Sequence, residues 1–67
     1  MERDYSELRQ RIRGAYPRLA DFAEALGMTP STLSLKLAGK SEWTRVEIEK
    51  VRLLLDLTVE ELLRYFF

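Results

Sequence analysis

The stretch Leu19–Ala38, LADFAEALGMTPSTLSLKLA, decides the fold. Leu19, Phe22, Ala23 and Leu26 recur at helical spacing and form one apolar stripe. Gly27 follows directly and can take the positive φ that stops a helix sharply. Thr29 is then suited to an N-cap and Pro30 to the first helical position, where its missing N–H costs nothing. Leu33 and Leu37 lie four apart on the inner face of this next helix, and Gly39 closes it. The reading is two short helices separated by three or four residues.

The same grammar recurs outward. Met28-Thr29, Trp43-Thr44 and Leu57-Thr58 each place an apolar residue before a capping threonine, with a second apolar residue (Leu33, Ile48 or Leu62) in position to pack back against it. Glu47 and Glu61 stand three residues after Thr44 and Thr58, the spacing of a capping box. Three helix starts are therefore expected near residues 29, 44 and 58. Upstream, a first helix from about Asp4 to Ala15 is expected to bury Leu8 and Ile12; the second covers Leu19 to Leu26. The fourth is expected to bury Ile48, Val51 and Leu55, and the fifth Val59, Leu62 and Phe66. No segment alternates with period two, so an all-α fold of five helices is expected, as one domain over residues 1–67.

Composition limits the chemistry. The chain has no cysteine and no histidine, so no metal site of the Cys/His kind, no thiol nucleophile and no cofactor is expected. With no Gly-rich phosphate loop and no clustered carboxylates outside the capping and surface positions, an enzyme is not expected either. The start, MERDYSELRQ, lacks an apolar run, so a signal peptide is not expected, and the absence of cysteine fits a cytoplasmic location. Eleven basic and eleven acidic residues cancel, but they are unevenly placed. Residues 1–18 hold five Arg against three acids, and 28–45 hold Lys36, Lys40 and Arg45 against Glu42; the segments 19–27 and 46–67 are each net −2. A polarised chain of zero net charge suits a molecule with one working face.

A tight turn between two short helices is the helix-turn-helix arrangement. With Gly39-Lys40 and two further capped helices behind it, the chain resembles the Cro/repressor-type (XRE-like) helix-turn-helix family. LSLKLAGKSEWT and EELLRYFF are similar to small phage-encoded, Cro-like regulators. The resemblance covers nearly the whole chain. It implies a compact five-helix domain acting in transcription regulation, commonly as a repressor, with its third helix in the major groove of duplex DNA as a dimer on a two-fold site. It also implies a location on the nucleoid when bound to DNA. The sequence departs from the family at Leu19, where a phosphate-touching Gln is usual, and at Arg18, where Thr or Ser often caps. Pro30 and Leu35 stand at recognition positions that are often Gln or Arg.

Turning about 100° per residue from Leu33, the core direction lies near 20°, with Ser31 near 160° and Leu35 near 200°. Ser31 and Leu35 thus face away from the core, flanked by Thr32 and Ser34, and these four are the candidate base-facing residues. The serines can donate or accept; Leu35 offers apolar contact suited to a thymine methyl. Without Arg or Gln on this face, specificity is expected to be modest or drawn from DNA shape. Arg18, Lys36, Lys40 and Arg45 form the candidate phosphate-contacting set, although each is equally readable as a solvated side chain. Trp43 is read as core. Leu53, Tyr65 and Phe67 do not fit the inner stripes and suggest a homodimer surface, or a chain end folded back on its own domain. The competing function is a protein-interaction module that docks through Ser31, Leu35 and Ala38 of the same helix. Neither a membrane partner nor a small-molecule ligand is expected from the sequence.

Overall fold

The computed structural model describes residues 5–67. The helices are α1 (Ser6–Ala15), α2 (Leu19–Leu26), α3 (Pro30–Leu37), α4 (Arg45–Leu55) and α5 (Val59–Phe66), and the described residues contain no strand. The expected beginning of α1 at Asp4 lies outside the described residues.

The three threonine caps act at the helix starts. The Thr29 hydroxyl accepts from the Thr32 N–H at 3.2 Å, and Pro30 stands at N1. Thr44 and Glu47 form a reciprocal box: the Glu47 N–H donates to Thr44 Oγ1 at 3.2 Å and the Thr44 N–H to Glu47 Oε1 at 2.9 Å. Thr58 and Glu61 repeat it at 3.1 and 3.0 Å. Each box satisfies backbone donors that have no partner within the helix.

The ends are equally local. Gly27 sits at φ 78°, and the Met28 N–H reaches back to the Ala23 carbonyl while the Gly27 N–H reaches Glu24. Gly39, at φ 77°, does the same for α3, with Lys40 bonding Leu35 and Gly39 bonding Lys36. Both are Schellman closures. α4 ends by the same device on a residue that the sequence reading did not single out. Asp56 takes φ 52°, and the Leu57 N–H returns to the Arg52 carbonyl. Short polar side chains tolerate this region better than other non-glycine residues. α1 ends differently: Tyr16 precedes Pro17 and is extended, at φ −129° and ψ 139°, because the proline ring disfavours the helical region for the residue before it.

α2 is the central element and packs against α1, α3 and α4, while α1 also meets α4. Phe22, Leu8, Ile12, Leu33 and Val51 are fully buried, joined by Ala23, Leu26, Leu37, Leu55, Leu57 and Phe66. Leu19, Ile48 and Leu62 pack partly buried around them. Trp43 is core as expected, edge-on to Phe66 at 5.2 Å between centroids, with Tyr5 against both rings. This cluster joins the residue preceding α1, the α3–α4 connection and the end of α5. The Trp43 indole N–H is buried with no hydrogen-bond partner among the described residues. Arg11 adds polar ties, donating to the Leu55 carbonyl at 3.2 Å and pairing with Glu61 at 3.5 Å.

One assignment in α5 is corrected. Val59 was expected inside and is 67% exposed. It lies on the side of α5 that also carries the exposed Leu63 and Phe67, whereas Leu62 and Phe66 pack into the core. No helix among the described residues is long and apolar enough to cross a membrane.

Candidate functional site

α3 follows α2 after only Gly27, Met28 and Thr29. Its inner face is secured by Leu33 and Leu37, both buried, which turns Ser31, Ser34 and Leu35 to solvent; Leu35 is 50% exposed. Thr32 is half-buried, and its hydroxyl accepts a 2.9 Å bond from Thr29 Oγ1, so it completes the helix start rather than standing free. Ala38, at the far end, is half-buried. The exposed face of α3 is therefore short, neutral and mixed: two hydroxyls beside one isobutyl group.

Lys36 departs from its expected place. Grouped with the phosphate-contacting residues, it is instead 6% exposed. Its ammonium lies 3.0 Å from Glu47 Oε1, donates to the Glu42 carbonyl at 2.6 Å and sits 5.9 Å from the centroid of the Trp43 ring. The stem runs off the flank of α3 toward the α3–α4 connection, where a carboxylate, a carbonyl and an aromatic face together satisfy the charge. Lys36 thus ties α3 to the beginning of α4, and it is withdrawn from the phosphate set. Partial burial pushes the Glu47 carboxyl up, but the Thr44 N–H and then the bond and charge of Lys36 outweigh it, and the group titrates below the ordinary glutamate range.

Arg18, Lys40 and Arg45 remain solvent-exposed. Arg18 occupies the N-cap of α2, with 78% of its side chain exposed and Nε 3.5 Å from Asp21. Lys40 follows the Gly39 turn, and Arg45 is the first residue of α4. With Lys36 withdrawn, α3 itself presents no exposed cation between Pro30 and Leu37.

The surface expected from Leu53, Tyr65 and Phe67 is redrawn. Leu53 and Phe67 are exposed, Phe67 by 72%. Tyr65 is half-buried and packs against the core, because it lies on the inward side of α5 beside Leu62 and Phe66. Leu63, which the core periodicity does not single out, is 52% exposed, and Val59 lies outside the core beside it. Val59, Leu63 and Phe67 recur every fourth residue and form one stripe along α5. The signal was available: the apolar arc of this helix spans about 200° at 100° per residue, twice what one core-facing stripe requires.

Compared with known proteins, the chain finds no match among curated ones. A family model described as "Protein of unknown function (DUF739)" matches residues 1–67. The chain belongs to the DUF739 family.

Proposed function

We propose that this protein is a small regulator that binds duplex DNA with a sequence preference, in the manner of the Cro/repressor-type family it resembles. In this reading α2 and α3 are the two arms of a helix-turn-helix and the N-terminal half of α3 enters the major groove. The observation that carries it is the three-residue connection between α2 and α3, together with the outward face of Ser31, Ser34 and Leu35 on a helix fixed from behind by Leu33 and Leu37. Arg18, Lys40 and Arg45 hold the backbone phosphates. They position the protein and carry no base information. Base reading falls to two hydroxyls and one apolar contact, so shape and deformability of the site contribute much of the preference. The protein acts as a homodimer, paired through the Val59–Leu63–Phe67 stripe and Leu53.

Three phosphate contacts per protomer, doubled in the dimer, give a slope of log affinity against log salt of about −5. Titration of a duplex at several salt concentrations tests this. Replacing any one of the three cations by Gln in a dimer should shallow the slope by about 1.8, that is about 0.9 for each lost contact, on specific and random duplexes alike.

A specific observation favours a second reading. An α3 face with an exposed Leu35 and no exposed cation also fits docking of Ser31, Leu35 and Ala38 onto another protein. Salt-insensitive binding to DNA, or none, selects this alternative.

A further inference from the structure

α1 and the beginning of α2 enclose a cleft of about 460 Å³ to which the α3 face contributes nothing. Arg9, Arg13 and Arg18 line it, together with Ile12, Tyr16 and Leu19. Among the described residues no carboxylate lines it. Arg9 and Arg13 are four residues apart on α1, an arrangement that places like charges side by side and works against the helix. Among the described residues neither has an ion-pair partner. Arg18 meets Asp21 only at 3.5 Å, through a largely exposed side chain, so its fork stays available. Three cationic residues thus line one concave, partly apolar surface, and none of its described lining residues is an acid.

We infer that this cleft binds a phosphate monoester carried on a flat apolar group, such as an aryl phosphate or a nucleoside monophosphate. The charge selects the head. A phosphate monoester is close to a dianion at neutral pH and presents three terminal oxygens, matching three planar forks that each bind such oxygens in pairs. A carboxylate, with one charge and two oxygens, leaves at least one guanidinium unanswered. The apolar lining selects the body. Tyr16 and Leu19 are half-exposed over the buried Ile12, and the Tyr16 ring is held edge-on to Phe22 at 5.0 Å, so the surface is preformed. A bare phosphate ion leaves it unused. The volume lies in the range of small-molecule sites, about 300–1,000 Å³. Occupancy also relieves the Arg9–Arg13 repulsion, so ligand binding stabilises the fold by mass action.

The test uses the intact chain, with phenyl phosphate and adenosine monophosphate as probes, and phenol, adenosine and inorganic phosphate as controls. Amide NMR is expected to show shifts confined to residues around Ile12, Tyr16 and Leu19, with a Kd of about 1 mM or tighter for at least one ester and at least about tenfold weaker binding of every control. The relative strength of the two esters distinguishes an aryl from a nucleotide ligand. Arg9→Gln with Arg13→Gln should weaken ester binding by at least about tenfold while circular dichroism stays unchanged, since neither arginine is buried in the core or ion-paired among the described residues. Arg18 is left intact, so the reading of α3 is not disturbed. Shifts absent at millimolar ester overturn the proposal, as does inorganic phosphate binding as tightly as the esters. Loss of duplex DNA binding by the double variant, with no ester binding by the parent, also overturns it and assigns the cleft to the DNA backbone.

Discussion

Lys36→Met separates a structural tie from a DNA contact. Methionine keeps an unbranched side chain of similar length and removes the ammonium, leaving Glu47 and the Glu42 carbonyl without their partner. Hydrogen bonds to charged groups contribute about 1.5–3 kcal/mol, and breaking a fully buried ion pair costs about 3–5 kcal/mol. Lys36 is almost completely enclosed, but the Glu47 side chain keeps 24% of its surface in water and is partly resolvated after the change. The expected cost is therefore about 2 kcal/mol, below the fully buried figure. With about 2.1 cal/mol/K of unfolding entropy per residue, a chain of 67 residues loses about 14 °C of melting temperature. Thermal unfolding followed by circular dichroism measures it, with the single tryptophan, Trp43, as a second probe beside the ammonium. The penalty should also depend on pH. The folded Glu47 carboxyl titrates below its ordinary range, so its contribution is present above the unfolded pKa and fades as pH falls through the lower folded value. The parent and the variant should accordingly converge in acid. An unchanged melting temperature at neutral pH, with a shallower salt dependence of DNA binding, would refute the argument and return Lys36 to the phosphate set.

Thr44→Ala should cost about 1 kcal/mol, within the usual range of about 0.5–2 for such caps, with Thr44→Ser nearly silent in the same melting assay. Gly14 lies in α1 with open space where a Cβ would stand, so Gly14→Ala should stabilise the domain by about 0.5–1 kcal/mol in denaturant unfolding. Replacing Leu63 and Phe67 together by Ser should convert a dimer to a monomer in sedimentation at tens of micromolar, with helical content kept; a parent that is monomeric at every concentration, with and without DNA, contradicts the proposed pairing.

The features that were legible in the sequence are those decided within four or five residues along the chain. The caps of Thr29, Thr44 and Thr58 and the closures at Gly27 and Gly39 are local, and their residue types state their geometry. The inner phase of α3 followed from Leu33 and Leu37 in the same way. What was hidden depends on partners further off or on rarer choices. The burial of Lys36 requires Glu47, a residue of the next helix already engaged in a capping box, to supply the counter-charge. Asp56 closes α4 in a conformation where glycine is the usual signal. Val59 fits the periodicity of a buried stripe but falls on the exposed stripe with Leu63 and Phe67, since the apolar arc of α5 is wider than the core can cover. The arginine-lined cleft joins residues of α1 to the beginning of α2 across the Pro17 turn, a juxtaposition that periodicity does not describe. For the candidate site, the outward positions of Ser31, Ser34 and Leu35 were readable, as was the exposure of Arg18, Lys40 and Arg45, while the withdrawal of Lys36 was not.

Selection of bound sequences from a random duplex pool tests the central claim most directly, because it examines binding, half-site spacing and dimerisation together. The account predicts enrichment of a two-fold symmetric site whose halves are centred about 10 base pairs apart. The enriched site should be weakened by Leu35→Ala by about 1 kcal/mol, with the fold and the salt slope unchanged. A folded protein that enriches nothing over the starting pool at low salt would contradict it.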